Sequence, residues 1–68
     1  MNNIRKYRAK FSLTQTEFGE LIGRTQSAIG HYENDRRTPS INEASEILAA
    51  FRKYDSGLTF VSIFPKAA

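Results

Sequence analysis

The chain has 68 residues, a net charge of +3 and no cysteine, which bounds it to one domain near the lower size at which an apolar core suffices without disulfides or metal. One histidine and scattered carboxylates cannot build a zinc site, and no run of about 18 apolar residues is present to span a membrane. The N-terminus "MNNIRKYRAK" is basic but has no apolar stretch behind it, so it does not read as a secretory signal. The expectation is a soluble, cytoplasmic domain that needs no cofactor.

The basic residues are segregated. Arg5, Lys6, Arg8 and Lys10 fall within an opening segment that lacks acids, and Arg36 and Arg37 form a second cluster, with Arg24 between them in sequence. Glu17, Glu20, Glu43 and Glu46 lie on other segments. Such a division suits a basic face turned toward phosphate.

In chain order, Asn2 or Asn3 caps a first helix whose Ile4, Tyr7 and Phe11 recur at helical spacing. "TQTE" at Thr14 to Glu17 is a capping box. It opens a second helix with Phe18, Leu21 and Ile22 inward, ended by Gly23 in the left-handed conformation of a helix stop. Thr25 caps a third helix with Ala28, Ile29 and Tyr32 on its apolar face. "RRTPS" is a loop, and "SINE" at Ser40 to Glu43 is a second capping box. The fourth helix carries Ile41, Ala44, Ile47, Leu48 and Phe51 on one stripe and ends at "DSG", Asp55 to Gly57.

The closing "LTFVSIFPK" has two readings. Thr59 caps a short helix from Phe60 to Phe64 stopped by Pro65, or the β-branched and aromatic residues form a strand. A lone strand has no partner within this chain and would have to pair across a dimer, so the helix is preferred. As a helix, the segment buries Leu58, Phe60 and Phe64 in the core and leaves apolar surface at Val61 and Ile63. Residues 57–68 are therefore expected to act as a dimerisation tail through Phe60, Val61, Ile63 and Phe64. The whole, residues 1–68, reads as one compact all-α bundle of five short helices.

The two helices around Gly23 form a helix-turn-helix. Phe18 is apolar where the first helix meets the core, and Gly19 is small where the second must come close. Ile22 is apolar, Gly23 makes the turn, and Ile29 and Tyr32 anchor the second helix. Arg24 departs from the motif, standing where an aliphatic residue is usual, and it is expected to reach a backbone phosphate. Gln26, Ser27 and His31 lie off the apolar face. A glutamine amide offers donor and acceptor together, the pairing that suits adenine N6 and N7, while a serine hydroxyl discriminates less. The cluster "HYEND" does not read as catalytic, because its side chains fan apart along a helix and converge on no substrate.

With these residues in view, "LTQTEFGELIGRTQSAIGHYENDRRTPS" resembles the phage Cro and repressor family of helix-turn-helix proteins, the Xre-like group, over residues 3 to 54 or so. The resemblance implies a lambda-repressor-like domain that binds a pseudo-palindromic operator in double-stranded DNA as a homodimer, with the helix 25–34 in the major groove. It implies base contacts from Thr25, Gln26, Ser27 and His31, phosphate contacts from Gln15 and Asn34, and a buried ion pair between Arg8 and Glu33. Arg36 and Arg37 are expected to join the phosphate contacts. The family usually has glycine where this chain has Asp35, which puts an acid close to the backbone contacts.

The function expected is that of a sequence-specific transcriptional repressor of Cro type, not an enzyme, acting without a small-molecule effector in a bacterial host cell. The alternatives are the DNA-binding antitoxin of a toxin–antitoxin pair, another Xre-like regulator, or an interaction module that has kept the fold without binding DNA.

Overall fold

The computed structural model describes residues 2–65 and consists there of five helices with no strand: α1 (Ile4–Lys10), α2 (Gln15–Ile22), α3 (Gln26–Glu33), α4 (Ile41–Arg52) and α5 (Phe60–Ile63). Residues 66–68 of the expected tail lie outside the described residues. No helix is long and apolar enough to cross a membrane.

Side-chain caps define the starts of the three central helices. Thr14 and Ser40 accept from the backbone N–H of Glu17 and Glu43, and each glutamate carboxylate accepts in return from its cap's own N–H. Thr25 accepts from Ala28 N–H at 3.1 Å. These bonds satisfy donors that a helix start otherwise leaves without partners. At α1, Asn3 holds the cap position while the Asn2 side chain accepts from Ile4 N–H.

The turn between α2 and α3 depends on two glycines. Gly23 adopts φ +68°, the left-handed region that costs a residue with a Cβ about 1 kcal/mol or more. Gly19 lies under the turn itself: its carbonyl accepts from Arg24 N–H at 2.8 Å. A Cβ on Gly19 would sit 2.5 Å from the Arg24 carbonyl oxygen, inside contact distance of backbone that cannot yield.

Ile4, Phe18, Ile22, Ile29, Tyr32, Ile47, Leu48, Ala50, Phe51, Leu58 and Ile63 close the core. Phe18 stacks on Phe51 at 4.5 Å between centroids, and Phe11 stacks on Tyr54 at its edge. Two residues expected inside are outside: Leu21 is 44% exposed at the α2 surface, and Ile41 is 83% exposed in the first turn of α4. Helical period places both toward the core, but each sits at the wall of an open groove, Leu21 beside Glu46 and Ala49 of α4 and Ile41 beside Phe60 and Phe64. Helix α4 also stops at Arg52, before the "DSG" that marks a tight turn in which Asp55 accepts from Gly57 N–H.

The tail folds as the short helix, with Thr59 N–H donating to the Ser62 hydroxyl. Its buried face differs from the expected one. Ile63 has no exposed surface and is taken out of the dimerisation set, whereas Phe60, expected in the core, is 45% exposed beside Val61 at 65%. The cause is a backbone clasp: Asn3 N–H and the Asn3 amide donate to the carbonyls of Ile63 and Ser62, turning Ile63 inward.

Candidate nucleic-acid interface

Helix α3 carries Gln26, Ser27 and His31 on its exposed side, opposite Ile29 and Tyr32. Thr25, also exposed, uses a hydroxyl lone pair to cap the helix and keeps its proton to donate.

Two carboxylates hold this helix from different sides. The first is Glu33 at the end of α3, whose side chain has no exposed surface. Arg8 grips it with both arms, Nε to Oε2 at 2.6 Å and Nη2 to Oε1 at 3.2 Å, while Arg8 Nη1 donates to the Leu13 carbonyl. The exposed Arg5 adds a bond from Nε to Oε1 at 3.3 Å and donates through Nη2 to the Asn34 side chain. Gln15, at the start of α2, donates its amide to Glu33 Oε1 at 3.1 Å. Burial works to raise the Glu33 pKa. The hydrogen bonds from Arg8 and Gln15, with the Arg8 charge, outweigh it and hold the carboxyl below its ordinary value.

This arrangement orients Gln15 and, through it, Gln26. A carboxylate only accepts, so Gln15 must turn its NH₂ toward Glu33 and its carbonyl outward. Gln26 Nε2 then donates to Gln15 Oε1 at 3.4 Å. One N–H and the carbonyl of Gln26 remain for a partner outside the protein.

The second carboxylate is Glu43 in the capping box of α4. Its Oε2 accepts from the Tyr32 hydroxyl, from Arg24 Nε at 3.3 Å and from Arg37 Nη2 at 3.3 Å. The Ser40 backbone N–H, then the Tyr32 hydroxyl and the two arginines, bring the Glu43 pKa down to about 2. Burial, followed by the bond to ionised Glu43, raises the Tyr32 phenol above its ordinary value.

Arg24 is therefore not where the sequence places it. Its guanidinium bonds Glu43 and, at 3.0 Å, Glu46, and reaches back to the carbonyls of Ile22 and Gly23. Glu46 first, with Tyr32 and Glu43, raises its pKa further. Where the motif usually packs an aliphatic side chain, this chain clamps the turn to α4 with charge, and Arg24, expected at a phosphate, is paired here with Glu43 and Glu46.

Arg36 and Arg37 lie in the loop after α3, both donating backbone N–H to the His31 carbonyl. Arg36 is exposed, whereas Arg37 also lies over the Tyr32 ring at 5.5 Å. Asp35 has φ +57°, which explains why glycine suits this position; aspartate tolerates it, and its carboxylate accepts from Asn2. Among the described residues, no cluster of histidines and carboxylates could hold a metal.

A family model described as helix-turn-helix matches residues 4–57, from the first residue of α1 to the turn before α5. The chain belongs to the helix-turn-helix family. It is a DNA-binding regulator of the Xre type, from a family that generally does no enzymatic chemistry. Neither a curated protein nor a solved structure matches it. The helix-turn-helix match covers both carboxylates and all their partners and leaves α5 outside.

Three participants in this site escaped sequence reasoning: Arg5, Glu43 and Glu46. Arg5 precedes Arg8 by three residues and so shares its side of α1, a detectable signal. For the others the signal was Arg24 itself, since a cation at a position usually aliphatic needs a counter-charge close by.

Proposed function

We propose that the protein is a sequence-specific transcriptional repressor of phage Cro type, acting in the bacterial cytoplasm at a pseudo-palindromic operator on the nucleoid. The helix 25–34 enters the major groove, with Gln26 as the principal reader and Thr25, Ser27 and His31 as further base contacts. The observation that carries this reading is the oriented chain Glu33–Gln15–Gln26. It leaves Gln26 one donor and one acceptor, which complement adenine N7 and N6. Asn34 and Arg36 hold phosphates beside it, joined by Gln15 through its backbone N–H at the start of α2, since its side-chain carbonyl faces outward.

A single reading helix covers few base pairs, so the functional unit is a homodimer. Its interface is the exposed apolar surface of α5 and the start of α4. A groove of about 410 Å³ is lined by Pro39, Ile41, Ala44, Phe60 and Phe64, and Val61, the residue after Phe60, is exposed. Val61 of a second copy enters this groove reciprocally, with Phe60 packing at its edge, a self-complementary two-fold contact.

Selection from random duplex DNA followed by footprinting tests the proposal. The expected result is two half-sites centred about 34 Å apart, occupied together, with Val61→Lys weakening joint occupancy. A lone asymmetric half-site bound by a monomer at full affinity overturns the dimeric reading.

A further inference from the structure

Arg37 lies in the loop after α3 and has 56% of its side chain exposed, yet it shares Glu43 with Arg24. Both cations thus spend charge on one internal anion, next to the surface that a regulator of this family turns toward DNA. The anion is held firmly. Its other oxygen is fixed by the Ser40 N–H, and the buried Tyr32 hydroxyl pins Oε2 in place.

We propose that Glu43 is a built-in counter-anion that withholds Arg37 and Arg24 from DNA phosphate and so limits binding to duplex of the wrong sequence. The proposal rests on the reading of α3 as the helix that faces DNA. Binding without sequence preference is driven almost wholly by cations that replace counterions on phosphate, and each such contact steepens the dependence of log K on log salt by about 0.9. A cation already paired with a fixed carboxylate contributes less to that term. Contacts from Gln26 to a base edge do not involve Glu43. Glu43 therefore lowers the sequence-independent part of affinity, which is nearly all that holds a wrong sequence, and leaves the contribution that distinguishes the right one to α3.

The experiment measures binding of the full chain to a labelled duplex of random sequence over a range of salt concentrations. Glu43→Gln keeps an acceptor for the Ser40 N–H but removes the charge. It is expected to steepen the slope by about one to two units and to tighten binding about tenfold near ~0.1 M salt. Arg37→Ala placed in the Glu43→Gln chain should remove most of that gain, and in the parent chain should change the slope little. Tyr32→Phe, which loosens Glu43 without releasing either cation, should keep the parent slope; a merely structural role for Glu43 would move both variants together. Glu46→Gln releases Arg24 in part without touching the cap, and a smaller steepening there supports the proposal even where Glu43→Gln folds poorly. A parent slope in both glutamine variants, or equal effects of Glu43→Gln and Tyr32→Phe, overturns it. If Arg37→Ala flattens the slope in the parent chain by a full unit, Arg37 already holds a phosphate and the proposal fails while DNA binding stands. Absence of salt-dependent binding by the parent removes the underlying reading as well.

Discussion

Glu33 and Glu43 do similar work in different surroundings. Each is a carboxylate bound to two arginines and to a residue of the helix-turn-helix, and each ties α3 to a neighbouring helix. Glu33 is sealed, with its side chain at 0% exposure and its Arg8 partner at 15%. Glu43 is at 13%, and its arginines are at 31% and 56%. Solvent access separates their roles. A sealed pair cannot be broken without stranding charge, so Glu33 belongs to the fold and to the orientation of Gln15. Glu43 is fixed by the Ser40 N–H and the Tyr32 hydroxyl while its arginines stay closer to solvent, so it is suited to adjusting the charge those cations present.

The largest expected effect tests that contrast directly. Glu33→Ala leaves Arg8 without its counter-charge and should cost roughly 3–5 kcal/mol, a large share of the stability of so small a domain. Thermal melts of Glu33→Ala and Glu43→Ala should differ strongly, with the first by far the less stable; melts that coincide would erase the distinction.

Next is the turn that carries Arg24 to Glu43. Gly19→Ala places a methyl against the Arg24 carbonyl and should cost about 1–3 kcal/mol through forced displacement of the turn. Gly23→Ala meets no atom and bears only the left-handed backbone penalty, about 1 kcal/mol. Equilibrium denaturation should rank Gly19→Ala below Gly23→Ala, and the reverse order would mean that α3 can move away from α2.

Acid sharpens the comparison further. The folded-state pKa of each carboxyl lies below its ordinary value, so each contributes stability that is complete above that value and lost as pH falls through the folded pKa. For Glu43 the window runs from 4.5 down to about 2. The stability difference between the parent and Glu43→Gln should shrink across this window and level off beneath it. A difference that stays constant with pH would show that Glu43 is not ionised in the folded protein.

The smallest effect concerns two arginines on one carboxylate. Arg5 is 62% exposed where Arg8 is 15%, so Arg5→Ala should cost only about 0–1 kcal/mol and Arg8→Ala several times more. Equal losses in denaturant titrations would mean that exposure does not rank the pairs around Glu33.

Local signals in the sequence determined the helices. Thr14 with Glu17, Thr25, and Ser40 with Glu43 announce helix starts because a short polar side chain reaches a backbone N–H within its own turn. Gly23 announces a stop because only backbone without a Cβ turns left-handed freely. The exposed positions of Gln26, Ser27 and His31 follow from the same helical period that buries Ile29 and Tyr32. Tertiary structure alone decided what periodicity cannot carry. Period alone assigns Leu21 and Ile41 to the inside, yet the helices beside them leave open grooves there, and both stay exposed. Ile63 rather than Phe60 turned inward because Asn3, at the far end of the chain, clasps the backbone of α5. Arg24, Tyr32, Arg37 and Glu43 met because α2, α3 and α4 pack about a common core, and charges far apart in sequence find one another only after that packing is complete.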